Sequence, residues 1–296
     1  MTADRQLTCI REVIRRRLED PAVELSVLQS VGSSSTYLAT SGGRRWFVKF
    51  PDESARMYPL LEAGADCPFL VKSAFRSPVP FADGYLTCLE WRPAEVVHPE
   101  RWSDDQLESF MAAYAEFARI LQRTDDVGTP EDDSAFFAVI EDYVRHHPIR
   151  AFLLRPLLAI PGDERTYRAG EARVVTHGDL HSRNYGFKGS RFECFYDVDN
   201  ILWGLAPDDL AYTVLDRAQR LSLGARDFGR CVAVLRRLVA RFGGSPREWR
   251  LCINRKRIRQ AARKIAKRPH SILPALDIVR HDRRAVRLMR AAGFLP

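Results

Sequence analysis

The chain has 296 residues, 46% of them hydrophobic and 28% charged, with a formal net charge of +8. That length suffices for one large domain or two modest ones, and the composition excludes a disordered, collagen-like or disulfide-framed chain. No apolar run approaches the roughly 18–20 residues of a membrane span, and the charged start, M-T-A-D-R-Q-L-T-C-I-R-E-V-I-R-R-R-L-E-D, is expected to be neither a signal peptide nor an anchor.

In chain order, Leu7, Ile10, Val13, Ile14 and Leu18 recur at helical spacing and predict an opening helix. Residues 25–50 read as strands: L-S-V-L-Q-S-V, then T-Y-L-A-T, the turn S-G-G-R-R, and W-F-V-K-F. The Gly-containing turn suggests an antiparallel hairpin. A helix is expected within 53–64. Strand-like runs return over 68–91, of which Y-L-T-C-L-E-W is the clearest. From Ser103 the period changes: a Ser at the N-cap, acids in the first turn, then apolar residues at helical spacing. T-D-D-V-G-T-P-E-D-D-S reads as a loop. Helices fit 135–146 and 149–160, and beyond Pro207 the chain reads as helical to its end. A sheet-rich front and a helical back predict an α+β protein of two lobes, dividing near residues 91–95 into 1–91 and 92–296.

The cysteines at 9, 67, 88, 194, 231 and 252 form no C-x-x-C pair, which predicts reduced, buried thiols in a cytoplasmic protein. Charge is uneven. Residues 217–296 hold 22 of the 46 Lys and Arg but 4 of the 38 Asp and Glu, a balance of +18 against −10 for the rest. Such an end is either a solvated helical surface or a face for an anionic partner: a phosphorylated glycan, a membrane or nucleic acid. In R-K-R-I-R-Q-A-A-R-K-I-A-K-R, 255–268, Ile258, Ala262 and Ile265 share one stripe. That segment either lies on anionic lipid, making the protein peripheral to the inner face of the membrane, or packs by the stripe. Nucleic acid is disfavoured, because Phe228, Phe242, Trp249 and Phe294 do not interleave with the charges as a stacking platform.

The densest chemistry lies in V-V-T-H-G-D-L-H-S-R-N-Y-G-F-K-G-S-R-F-E-C-F-Y-D-V-D-N, residues 174–200. Asn184 follows Asp179 by five positions and Asp197 follows Asn184 by thirteen. The two apolar runs between them flank the turn K-G-S-R, so a hairpin would fold Asp197 back beside Asn184. An Asn and an Asp converging on one point suit a hard cation such as Mg2+. Asp179 nearby could orient an attacking hydroxyl and accept its proton. Rival readings account for less. A zinc cluster of His177, Asp179 and His181 lacks a further ligand group, and Asp197-Val198-Asp199 as the D-x-D of a glycosyltransferase lacks the Gly-rich βαβ opening of a nucleotide-binding sheet. Turn-capping acids would explain Asp199 or Asp209 singly, but not the joint spacing.

H-G-D-L-H-S-R-N followed by F-Y-D-V-D-N, with L-A-P-D-D-L-A after it, resembles the aminoglycoside phosphotransferase and choline-kinase-like superfamily, whose fold is that of protein kinases. The resemblance is strong over 174–211, weaker over 25–92, and brings nothing diagnostic after 220. It implies a kinase that moves the γ-phosphoryl group of ATP or GTP to a hydroxyl, with Asp179 as the catalytic group and Asn184 and Asp197 on Mg2+. It places Lys49 of W-F-V-K-F on the α- and β-phosphates, with Glu53 or Glu62 as its carboxylate partner. V-G-S-S-S-T, with Ser33, Ser34 and Ser35, becomes a phosphate-covering loop although it carries one Gly. T-C-L-E-W becomes the link between lobes, with Cys88, Glu90 and Trp91 lining the adenine pocket. His177 braces the loop, His181 and Arg183 face phosphates or acceptor, and Asp199 is a supporting group.

The resemblance covers kinases of aminoglycosides, choline and sugars. The basic end of the chain points toward an anionic sugar or glycan as acceptor, with aminoglycoside or choline/ethanolamine phosphorylation as the alternative. A kinase-like module that binds nucleotide without turnover is the alternative of another class. The joint presence of Lys49, Asp179, Asn184 and Asp197 speaks against it.

Overall fold

The structure, a computed structural model, describes residues 3–31, 34–52, 57–75, 77–82, 84–124, 133–165, 174–198, 200–220 and 222–295. Helix α1 (Ala3–Leu18) opens the chain, with Ile10 and Ile14 fully buried. Strands β1 (Glu24–Val31), β2 (Ser34–Ser41), β3 (Arg44–Asp52), β4 (Val79–Phe81) and β5 (Gly84–Glu90) form an antiparallel sheet in the order β1-β2-β3-β5-β4. Gly42 and Gly43, at φ 53° and 75°, supply the two left-handed residues of a tight turn between β2 and β3. Strand alternation sorts the faces. Val48, Phe50, Leu86 and Cys88 share a core with Ile10 and Ile14 of α1, while Phe47, Lys49, Thr87 and Leu89 turn the other way.

Helix α2 (Met57–Ala63) falls within the expected 53–64, whose first four residues lie outside the described set. Its Met57, Tyr58 and Leu60, with Leu70 and Val71 beyond it, belong to the core of the helical part rather than to that of the sheet. Chain character therefore changes near Trp91, but the rear core already begins at Met57.

Behind the sheet follow α3 (Asp104–Leu121), α4 (Ser134–Val144), α5 (Pro148–Leu158), β6 (Val174–Thr176), β7 (Tyr185–Lys188), β8 (Arg191–Phe195) and β9 (Leu202–Gly204). Then come α6 (Asp208–Ala218), α7 (Ala225–Phe242), α8 (Pro246–Lys267) and α9 (Leu273–Ala292). Ser103 caps α3 in a reciprocal box with Gln106, and Ser245 does the same for α8 with Glu248. The β7–β8 hairpin turns at Gly189, as K-G-S-R predicts, and aromatic packing locks it to α3. The rings of Phe117 and Phe195 stack at 4.4 Å and those of Phe192 and Phe195 lie 4.6 Å apart, contacts worth about 0.5–1.5 kcal/mol each beyond area burial.

Helix α8 takes part of the basic end's charge inside, so its residues 255–259 are not a solvated face. Arg255, Lys256, Arg257 and Arg259 are buried. Arg255 pairs with Asp133 and Asp208, Arg259 with Asp133 at 2.6 Å, and Arg257 with Asp282 at 2.7 Å. Ile258, Ala262 and Ile265 do form a buried stripe, packed with residues of α4, α5 and α9. The charge of Arg255, Arg257 and Arg259 is thus spent inside, on acids from other segments, while Arg263, Lys267 and Arg268 further along stay exposed. No helix among the described residues is long and apolar enough to cross a membrane. The cysteines are free, and all but the half-buried Cys9 are buried, as expected.

Candidate functional site

Strand β6 delivers the chain into loop 177–184. Gly178 stands at φ 80°, and a Cβ there would fall 2.2 Å from the carbonyl oxygen of Asn200. The position before Asp179 therefore calls for glycine. Asp209, fully buried in the first turn of α6, braces the loop by accepting the N–H of His177 at 2.8 Å, the N–H of Gly178 at 3.0 Å and the Tyr114 hydroxyl at 3.3 Å. One turn on, Thr213 Oγ1 donates to the Leu180 carbonyl at 2.8 Å. From the other side Lys256 Nζ donates to the Gly178 carbonyl, and His177 Nε2 meets the Tyr196 carbonyl at 2.8 Å. Burial lowers the pKa of Lys256, opposed by Asp208, and burial pushes Asp208 up to about 6, opposed by Lys256.

Held this way, the loop leaves the Asp179 carboxylate 30% exposed, with His181 Nε2 3.6 Å away. The His181 N–H and Asn184 Nδ2 both donate to the Asp179 carbonyl, at 2.8 and 2.9 Å. With its amide nitrogen spent there, Asn184 offers Oδ1 to a ligand. Tyr196 N–H donates to the Asn184 carbonyl at 2.8 Å, so the hairpin returns Asp197 beside Asn184 as the spacing predicts. Asp197 sits at φ 52°, a left-handed conformation that Asp tolerates better than most residues. Lys49 reaches across from β3, its Nζ 3.4 Å from Asp197 Oδ1.

Lys49, Asn184 and Asp197 open on a cleft of about 1080 Å3 between the sheet and the hairpin. Phe47 and Leu89 line it from the sheet, Phe187 and Val198 from the hairpin, and Lys49, Arg183, Asn184 and Asp197 supply its charged and polar wall. Asn184 and Asp197 are hard oxygen donors of the kind Mg2+ takes when phosphate oxygens and water complete its shell. His177 spends Nε2 on Tyr196, and no cluster of three or more His, Cys, Asp or Glu able to hold a metal occurs among the described residues, so the zinc reading finds no site.

The remaining expected residues divide. Glu90 and Trp91 line the cleft, but their backbone N–H groups are engaged by Lys72 and Arg45 carbonyls at 2.7 and 2.9 Å. Cys88 does not line it. Strand parity turns its side chain into the α1 core and leaves Thr87 and Leu89 facing the cleft. Ser34 and Ser35 begin β2, paired with Val31 and Ser30, and Thr36 beside them lines the cleft. Glu62 is exposed on α2. Ser33, Glu53 and Asp199 lie outside the described residues. Two bracing residues escaped the sequence reading. Asp209 was visible within D-D-L-A without its partners, and Lys256 stands in a run of cations that nothing singles out.

Residues 24–251 match the phosphotransferase enzyme family. No match was found among curated protein sequences. Among solved structures, a thermostable mutant of aminoglycoside phosphotransferase APH(4)-Ia in ternary complex with ADP and hygromycin B is similar at TM-score 0.62 and 14% identity, over 96% of this chain and 98% of that one. Amicoumacin kinase hAmiN in complex with AMP-PNP, Ca2+ and Ami gives 0.62 at 11% identity, over 99% and 97%. The streptomycin–ATP ternary complex of APH(2")-IIa gives 0.56 at 13% identity, over 90% and 91%. At these identities the likeness is one of fold: a protein-kinase-like sheet set on a helical lobe.

Proposed function

The chain belongs to the phosphotransferase enzyme family, and from that premise we propose that it transfers the γ-phosphoryl group of ATP or GTP to a hydroxyl of a small molecule. Residues 1–91 form the nucleotide lobe and 92–296 the catalytic and acceptor lobe. The observation that supports this most is convergence: hairpin register brings Asn184 and Asp197 to one wall of a cleft that Lys49 enters from the sheet.

Asp179 orients the acceptor hydroxyl. As its oxygen bonds to the γ-phosphorus and the bond to the leaving diphosphate breaks, the hydroxyl proton passes to the Asp179 carboxylate. His181 Nε2 lies 3.6 Å from that carboxylate. Lys49 holds the α- and β-phosphate oxygens as negative charge grows on the leaving group. Asn184 and Asp197 hold Mg2+, which when bound neutralises phosphate charge. The hygromycin B, streptomycin and Ami in the complexes of similar fold support a small acceptor.

The test is Mg2+-dependent nucleotide turnover over a panel of aminoglycosides, choline and ethanolamine, neutral sugars, and phosphorylated or acidic sugars, with Asp179→Asn and Asp197→Ala beside the wild type. Turnover stimulated by one acceptor class and lost in both variants is expected. Turnover surviving at a tenth of the wild-type rate in both would contradict these roles.

A further inference from the structure

Asn184 and Asp197 line the nucleotide cleft, but Asp179 stands outside that lining. A hydroxyl bound for Asp179 therefore approaches beside α6 and α8. The side chains there are His181, Tyr212, Lys256, Gln260 and Arg263. The rings of His181 and Tyr212 lie 6.1 Å apart, and Lys256 Nζ sits 4.3 Å over the Tyr212 ring. Burial pushes the Tyr212 phenol up and Asp179 and Asp216 push the same way, while a hydrogen bond to Gln260 and the charge of Arg263 pull it back. Positions 256, 260 and 263 follow one another at helical spacing, so they form a single stripe of α8 facing the catalytic loop.

The charges on this stripe differ from their neighbours. From Arg250 to Lys264, each cation off the stripe has a carboxylate partner: Arg250 with Glu164, Arg255 with Asp133 and Asp208, Arg257 with Asp282, Arg259 with Asp133, Lys264 with Asp277. Lys256 and Arg263 have no such partner among the described residues. Lys256 is buried and spends its head on the Gly178 carbonyl. Arg263 is exposed and makes no ion pair. Asp216, whose charge also acts on Tyr212, is held by Arg220 at 3.3 Å. Other exposed cations of the basic end, Lys267 and Arg268 among them, also lack a carboxylate partner among the described residues; what sets Lys256 and Arg263 apart is their place on the stripe beside Tyr212 and the catalytic loop.

We infer that the acceptor carries an anionic group, a phosphate or a carboxylate, which Arg263 and Gln260 bind while Asp179 addresses the hydroxyl. This deepens the kinase reading and rests on it. The guanidinium fork of Arg263 can take two acidic oxygens at once. Lys256 acts as a positioning residue: it fixes Gly178, and its charge adds to the field that draws an anion and repels a polycation.

The experiment uses the full chain with ATP and Mg2+ and matched acceptors: glucose, glucose 6-phosphate and glucuronate, myo-inositol and its monophosphate, and kanamycin. The acidic members are expected to be phosphorylated with kcat/KM at least about tenfold above their neutral counterparts, and kanamycin least of all. Arg263→Glu should raise KM for the acidic acceptor about tenfold or more and move kcat less, and Arg263→Lys should recover most of the loss. A neutral or cationic acceptor used as well as the acidic ones would overturn the proposal. So would an unchanged KM in Arg263→Glu, or silence from every acidic acceptor while the protein still splits ATP slowly in a reaction that Asp197→Ala abolishes. If that slow reaction is absent too, the kinase reading itself fails, and the proposal with it.

Discussion

The acids of the site fall into two groups. Asp179 and Asp197 keep 30% and 41% of their side chains exposed and make few contacts. Asp209, within hydrogen-bond reach of the same loop, is fully buried and saturated with donors. The difference teaches where chemistry and architecture part. A carboxylate meant for a ligand must stay open to it, whereas one that sets loop geometry gains by leaving water only if its oxygens are fully bonded. Helix α8 repeats the contrast with cations: Arg255 and Arg259 are locked to buried acids, while Arg263 stays open.

Substitutions can break this division, and the largest effect belongs to the open group. Asp197→Ala or Asp179→Asn should lower turnover by about a thousandfold or more; Asp179→Asn should leave the thermal midpoint within about 2 °C, and Asp197→Ala should cost about 1 kcal/mol more because Ala tolerates its left-handed backbone less well than Asp. A variant that unfolded early would place these acids in the architecture instead. Asp209→Ala should do the reverse. Stranding two buried N–H groups and a phenol is expected to cost about 3–5 kcal/mol in denaturant unfolding; wild-type stability would mean that the loop holds itself.

Gly178→Ala tests the same brace more gently. A Cβ against the Asn200 carbonyl at a left-handed φ should cost about 1–3 kcal/mol, read as a lower denaturant midpoint with a matching drop in kcat. A midpoint at or above the wild type's would show that the loop has room to shift.

The pair of buried Glu100 and half-buried Arg217 gives a pH prediction. Burial raises the Glu100 pKa, but the bond and charge of Arg217 outweigh it, and the net direction is down. A carboxylate with a lowered folded-state pKa stabilises fully above its unfolded value and loses that contribution as pH falls through the folded one. Stability should therefore decline below about pH 4.5, the ordinary glutamate range, and Glu100→Gln should flatten that decline in acid-titration melts. An identical acid limb in the variant would remove Glu100 from the account. The smallest effect is expected at Glu62, exposed on α2. Glu62→Ala should change stability by no more than about 0.5 kcal/mol and leave the KM for nucleotide unaltered. A large rise in KM would make it the lysine's partner after all.

Much of the site was legible because its signals are local. A step of five positions from Asp179 to Asn184, thirteen more to Asp197 and a Gly-marked turn before it suffice to predict the hairpin. What escaped depends on remote partners or on absent contrast. Leu86, Thr87, Cys88 and Leu89 are all buried, so β5 shows no polar alternation from which to read that Cys88 faces the α1 core. The cations of α8 look like a solvated face because their acids come from Asp133, Asp208 and Asp282, one of them over a hundred residues away. A charge count along the chain sees the surplus but not the partners.

Phosphorus NMR of the protein with ATP and Mg2+, alone and with each acceptor, tests phosphoryl transfer at the cleft most directly. The account predicts that the γ-phosphate resonance gives way to a phosphomonoester with the right acceptor and slowly to inorganic phosphate without one, and that Asp197→Ala stops both. ATP that binds in the cleft and keeps its γ-phosphate under every condition would contradict it.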